Sequence, residues 1–258
     1  MTKTILITGA TDGIGQLTAK MLADEGHTLL IHGRSAEKLA ATRAQMGGAV
    51  ETYQADLSSL SETAALAEQL RSDHGQIDVV INNAGVLKTG APRLPDGQDV
   101  RFVVNTRAPY LLTKALLPQI PPAGRVINVA SAAQAPVNAD ALAGGVTLAD
   151  MDAYAQSKLA LVIWTQELAR ARPEGPVFIA VNPGSLLASK MVREGFGIAG
   201  SDLGIGAGIL CRLATEEAFA QHSGDYWDND AGGFGPPHAA AHDPRQIATV
   251  MNALDDAG

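Results

Sequence analysis

The chain has almost no cysteine: Cys211 stands alone among 258 residues. That excludes a disulfide framework and a thiolate metal site, and it fits a reducing, cytoplasmic compartment. It has no basic excess either, with 19 Lys and Arg against 27 Asp and Glu and a net charge of −8. Without a cationic face to offset that balance, neither nucleic acid nor an anionic membrane is expected as the main partner. Long hydrophobic runs are missing, so no membrane span is expected. The opening Met-Thr-Lys leads directly into Ile5-Leu6-Ile7, too short an apolar run for a signal peptide, which predicts an unprocessed chain. Aromatics are scarce at 4%, and no repeat recurs at solenoid spacing. No metal site is expected: His238 and His242 have helical ligand spacing but follow Pro236-Pro237 and lack a third ligand. Asp225–Asp230 resembles a calcium loop only superficially, without its glycine and distal glutamate, and reads as an exposed acidic turn whose Tyr226 and Trp227 cover the core or the pocket.

What the chain does have is alternation. Thr4–Thr8, Thr28–Ile31, Val50–Gln54, Ile77–Ile81, Arg125–Val129 and Val177–Val181 read as strands, and several are apolar throughout, as parallel strands covered on both faces must be. Helical patterns lie between them. Ala19–Glu25 stops at Gly26, Ser59 and Glu62 form a capping-box pair, and Met151–Arg172 ends at Pro173. This predicts one α/β domain, a Rossmann-type doubly wound parallel sheet with helices on both faces. Three longer stretches, Val86–Gly97, Ala132–Asp150 and Ser185–Leu203, leave the carboxyl ends of strands, where such sheets bind ligands.

The 27 glycines cluster at strand-to-helix junctions. In Thr8-Gly9-Ala10-Thr11-Asp12-Gly13-Ile14-Gly15 they permit a sharp turn and bring backbone N–H groups to a pyrophosphate. Asp12, an acid in that turn, is expected to cap the helix. At the end of the second strand an NAD-selecting acid is replaced by Gly33, and Arg34 follows as a counter-ion for a 2′-phosphate, so NADP is expected ahead of NAD. Tyr154 and Lys158 stand four residues apart on one helix face, where an ammonium can favour a phenolate.

The glycine stretch, Asn82-Asn83-Ala84-Gly85 and Tyr154-Ala155-Gln156-Ser157-Lys158 occur in order, with Ser131 after the fifth strand. Together they resemble the short-chain dehydrogenase/reductase family from Thr4 to about Lys190. The resemblance implies a hydride transfer between nicotinamide and an alcohol or carbonyl substrate. Ser131 then hydrogen-bonds the substrate oxygen, Tyr154 exchanges its proton, Lys158 also holds the nicotinamide ribose, and Asn105 supports a water chain from the lysine. It further implies that Asp56 and Leu57 border the adenine, that Asn83, Ala84 and Gly85 line the adenosine ribose, and that Pro183-Gly184 turns against the nicotinamide. Where the family has a carboxamide-binding threonine, this chain offers Ser185 and Ser189. A homodimer or homotetramer is the family's habit. The wide spacing from Ser131 to Tyr154, Ser157-Lys158-Leu159-Ala160 and Gly224-Asp225-Tyr226-Trp227 resemble the retinol-dehydrogenase-like branch, which prefers NADP(H). Two rivals are a nucleotide-sugar epimerase or dehydratase, for which the residues after Pro183 leave little room, and a catalytically silent cofactor-sensing regulator, which commonly lacks the tyrosine or lysine. The two later loops carry mostly small or aliphatic residues, among them Ala135, Val137, Leu142, Val146 and Leu148, and predict an apolar substrate wall.

Overall fold

A computed structural model describes residues 1–185, 187, 200 and 202–255. Eight strands form one sheet: β1 (Thr4–Ile7), β2 (Thr28–Gly33), β3 (Val50–Gln54), β4 (Val79–Asn82), β5 (Arg125–Val129), β6 (Val177–Asn182), β7 (Tyr226–Asp228) and β8 (Gly233–Gly235). Their order is β3-β2-β1-β4-β5-β6-β7-β8. The first seven run parallel and β8 returns antiparallel along β7. The chain crosses over between β1 and β4, so a crevice opens at their carboxyl ends, the usual ligand position in such sheets.

Successive side chains point to opposite faces, so the central strands, covered on both, are apolar on both. Leu6, Leu30, Val80, Val126 and Phe178 point into one core layer, and Ile5, Ile7, Leu29, Val79, Ile127 and Ile179 into the other. The first layer is closed by α3 (Leu60–Asp73), α5 (Ala108–Leu116) and α7 (Asp150–Ala171). The second is closed by α1 (Gly13–Asp24), α2 (Ala36–Arg43) and α8 (Leu203–Thr215). A last helix, α9 (Pro244–Asp255), packs Val250 and Leu254 into the first layer beside α7. Two short pieces are also helical among the described residues, α4 (Val100–Phe102) and α6 (Ala139–Leu142).

The first helix begins at Gly13, directly after its Asp12 cap, as the glycine turn led one to expect. Two expectations change. Tyr226 and Trp227 are not in a turn: they are 4% and 8% exposed on β7, with Trp227 edge-on to Phe219 and Phe234. Val137, Ala141 and Leu142 are buried in the first core layer, where α6 packs on α9, rather than facing a pocket. The 132–150 segment is tied down, with Arg93 donating to Gly144 and Val146 carbonyls, Arg107 to the Leu142 carbonyl, and Gln246 paired with the Val137 backbone.

Candidate active site

The glycine turn leaves β1 at Gly9, whose φ of +65° needs a residue without Cβ, and a Cβ there would meet the Ala84 Cα at 2.9 Å. Gly15 is equally constrained, since a Cβ would come within 2.3 Å of the Asn83 Nδ2. Asn83 donates to the carbonyls of Thr8 (2.9 Å) and Gly9 (3.0 Å), while the Thr8 hydroxyl accepts from the amides of Asn83 (3.0 Å) and Ala84 (3.1 Å). So Asn83-Ala84-Gly85 is bolted to the glycine turn. Asp12 caps α1, as expected, accepting from the Gly13 amide at 2.8 Å. The amides of Ile14 and Gly15 have no protein acceptor among the described residues. Free N–H groups at a helix start suit a dinucleotide's pyrophosphate, so the chain's own donors fit that group.

A residue the sequence reading missed lies under the turn. His32 is 2% exposed; its Nδ1 accepts from the Gly9 amide at 3.3 Å and its Nε2 faces the Ala55 carbonyl at 3.1 Å. Burial pulls its pKa down to about 4, so the ring is neutral, with the proton on Nε2. Only the pairing of β2 beside β1 and β3 reveals it. Beyond it, Gly33 leaves room for the Thr11 side chain, whose Cγ2 would lie 2.6 Å from a Cβ at 33. Arg34 is exposed, and no carboxylate pairs with it among the described residues. Asp56 is half-buried and takes both donors of Ser58, its amide at 2.9 Å and its hydroxyl at 2.8 Å; Leu57 is buried in the core.

Across the crevice, Ser131 follows β5, and Tyr154 and Lys158 project from α7. Tyr154 is 9% and Lys158 is 3% exposed. Burial raises the tyrosine's pKa, and a hydrogen bond from the Ser131 hydroxyl opposes that rise. The expected downward pull is therefore not the larger effect: burial is. The Lys158 ammonium lies 5.7 Å from the Tyr154 ring centroid and donates to the Val129 carbonyl at 2.6 Å, and burial brings its pKa down to about 7.

Asn105 lies not in a regular helix but in a π-helical turn, Val103–Arg107, a form common at functional sites. The wider turn aims its amide at two neighbours at once. The Nδ2 donates to the Val86 carbonyl and the Ser157 Oγ, both at 2.9 Å, and the Oδ1 accepts from the Val86 amide at 2.8 Å. The loop after β4 is thus coupled to the residue before Lys158.

Pro183 and Gly184 follow β6, and Gly184 has a φ of +123°. The Ser185 amide and hydroxyl donate to Asp230, at 2.8 and 2.5 Å, so its proton is already committed. Ser189 lies outside the described residues. Among the described residues no three His, Cys, Asp or Glu side chains converge to hold a metal, and no helix is long and apolar enough to cross a membrane.

A dinucleotide crevice on one side and a Ser–Tyr–Lys cluster on the other define an alcohol/carbonyl oxidoreductase with a nicotinamide cofactor. A family model described as short chain dehydrogenase matches residues 3–196, and the chain belongs to the short-chain dehydrogenase family. Retinol dehydrogenase 13 of Homo sapiens is 30% identical over 88% of this chain and 76% of its own length. The chain covers less than two thirds of the length of several other retinol dehydrogenases that it matches. Among solved structures, an uncharacterized protein from Mycobacterium paratuberculosis superposes with a TM-score of 0.82 at 28% identity, over 98% of this chain and 92% of that one. A short chain dehydrogenase from Burkholderia cenocepacia, solved in complex with NADP, gives 0.69 at 28% identity, over 88% and 95%.

Proposed function

We propose that the chain is an NADP(H)-dependent reductase or dehydrogenase of mainly apolar aldehydes, ketones or secondary alcohols. The observation that carries this is the convergence of buried Tyr154 and Lys158 with Ser131 beside the glycine turn. The nicotinamide, when bound, supplies or accepts the hydride. Tyr154 exchanges the proton with the substrate oxygen, and Ser131 donates a hydrogen bond to that same oxygen. Lys158, whose pKa burial brings down to about 7, restores the tyrosine's proton and holds the nicotinamide ribose. Asn105 fixes the Lys158 end of that path through Ser157.

Gly9, Thr11, Gly13, Ile14 and Gly15 would hold the pyrophosphate, Asp56 and Leu57 the adenine, and Asn83, Ala84 and Gly85 its ribose. Pro183, Gly184, Ser185 and Ser189 would face the nicotinamide. The preference for NADP rests on Arg34, exposed and unpaired with any described carboxylate at the end of β2, with no acid at Gly33. The NADP complexes among the solved relatives support it. Ala135 and Val146, uncharged and outside the core in the segment between Ser131 and Tyr154, favour an apolar substrate. The single buried thiol supports a cytoplasmic setting, and the family resemblance a homodimer or homotetramer. The test is nucleotide consumption against a broad panel of aldehydes and ketones with NADPH and NADH side by side. No turnover with any carbonyl compound, or a clear preference for NADH, overturns the reading.

A further inference from the structure

Ser131 is held by more than its own strand. Its carbonyl accepts two side-chain hydrogen bonds, from the Gln134 Nε2 at 2.8 Å and from the Tyr226 hydroxyl at 3.1 Å. Its Oγ accepts from the Ala133 amide at 3.1 Å, so the whole residue sits in a tight turn anchored at both ends. The neighbouring Ala130 amide pairs with the Val181 carbonyl at 2.8 Å, which fixes the peptide before it. Gln134 is itself held: its Oε1 accepts from the His238 amide at 3.1 Å. Tyr226 is 4% exposed, in register with Ala180 on β7, and close enough to Tyr154 for a charge there to oppose its own ionisation. A tyrosine this buried needs a partner for its hydroxyl, and that hydroxyl donates to the main-chain carbonyl of Ser131 while the Gln134 side chain lies against it.

We propose that Tyr226 and Gln134 are positioning residues that orient Ser131 for the substrate oxygen and for Tyr154, and so make β7 part of the active site's support. The proposal rests on the roles given to Ser131 and Tyr154 above. Neither side chain needs to touch the substrate. Two donors on one carbonyl set the rotation of the Ser131 peptide, and that rotation aims the hydroxyl at the reacting centre. With one donor gone, a single bond remains and the turn can swing. A misplacement of this sort acts on the chemical step, since oriented donors count most in the transition state. Uniform effects on binding are not expected from it.

The experiment compares wild type, Tyr226→Phe, Gln134→Leu and the double variant, each also in a Ser131→Ala background. Tyr226→Phe keeps the buried ring, and Gln134→Leu tests the same carbonyl from the loop side, so one misfolded variant does not decide the matter. The first readout needs no turnover: hydrogen exchange at the Ala133 amide, followed by NMR, should speed up about tenfold in either variant while core amides of β1 and β4 stay protected. The second is kinetic, with NADPH and the best carbonyl substrate of the panel. Turnover should fall about tenfold with the KM for NADPH unchanged, and neither substitution should cost anything further once Ser131 is alanine. Unchanged exchange at Ala133 in both variants overturns the proposal, whatever the enzyme's substrate. So does an undiminished further loss in the Ser131→Ala background, which would mean Tyr226 or Gln134 acts on substrate directly. A wild type that turns over no carbonyl compound counts against the proposed function instead, and the exchange result still decides the positioning.

Discussion

Lys158→Met should make the cofactor-free protein more stable while abolishing its activity. The side chain is 3% exposed, and its one hydrogen-bond partner among the described residues is the Val129 carbonyl at 2.6 Å; no described carboxylate neutralises it. Burial lowers its pKa from 10.5 to about 7. A base whose pKa is lower in the folded state than in the unfolded chain favours folding only when deprotonated. The penalty is therefore full below pH 7 and fades as pH rises toward 10.5. At pH 7 a shift of this size corresponds to about 4 kcal/mol. Methionine fills a similar volume but leaves the Val129 carbonyl without its donor, which returns about 1 kcal/mol. The net gain of about 3 kcal/mol should raise Tm by roughly 5–10 °C for a chain of this size. Thermal unfolding of both proteins without cofactor, at pH 7, 8.5 and 10, measures it. The gap should narrow steadily and fall below about 1 kcal/mol by pH 10, because the native lysine then loses its proton at little cost. A variant no more stable than wild type at pH 7, or a gap that ignores pH, refutes the argument.

Tyr154→Phe keeps the ring and removes the exchangeable proton, so turnover should drop about 10²–10⁴-fold with NADPH affinity, read by fluorescence titration, unchanged. Arg34→Ala should lower the kcat/KM ratio of NADPH over NADH by about 10–150-fold, the worth of a lost charge-assisted hydrogen bond. Gly33→Asp is a poorer probe of coenzyme choice, because its Cβ would press on Thr11; it should lower Tm and weaken both coenzymes in binding titrations. His32 is a base with a folded pKa of about 4, below its unfolded value of 6.5. Stability should fall as pH drops from 6.5 toward 4, where only the unfolded chain takes up the proton, and His32→Asn should flatten Tm against pH across that window.

Most of the sheet was legible because its central strands are buried on both faces and read as apolar blocks, while the edge strand β3 mixes buried and exposed residues. β3 and β5 match their expected bounds, and β6 runs one residue further. β7 and β8 were not legible. Three residues each, they carry Asp, Gly and aromatic residues that read equally well as a turn, and only pairing, of β7 with β6 and of β8 with β7, makes them strands. The core status of Val137, Ala141 and Leu142 was hidden for a similar reason. An apolar residue in a loop can face a ligand or a helix, and composition does not say which. The order and spacing of Ser131, Tyr154 and Lys158 stand out in the sequence, whereas nothing local marks Gln134 as a partner of the Ser131 carbonyl or His32 as a partner of the Gly9 amide.

That difference has a physical origin. A residue that does chemistry must be of one type at one place on one element, so it leaves a signature in the sequence. A residue that positions another needs only to reach a main-chain N–H or carbonyl, and many side chains on many elements can do so. His32 grips the Gly9 amide, Asn105 the Val86 peptide, Tyr226 and Gln134 the Ser131 carbonyl, and Asp230 the Ser185 amide. All but the Gln134 bond, which is local to its own loop, join segments far apart in the chain. The crevice is thus assembled from short loops that have little rigidity alone, and it owes its shape to side chains gripping backbone. A substitution among these five should therefore alter rate or cofactor affinity well before it alters the fold.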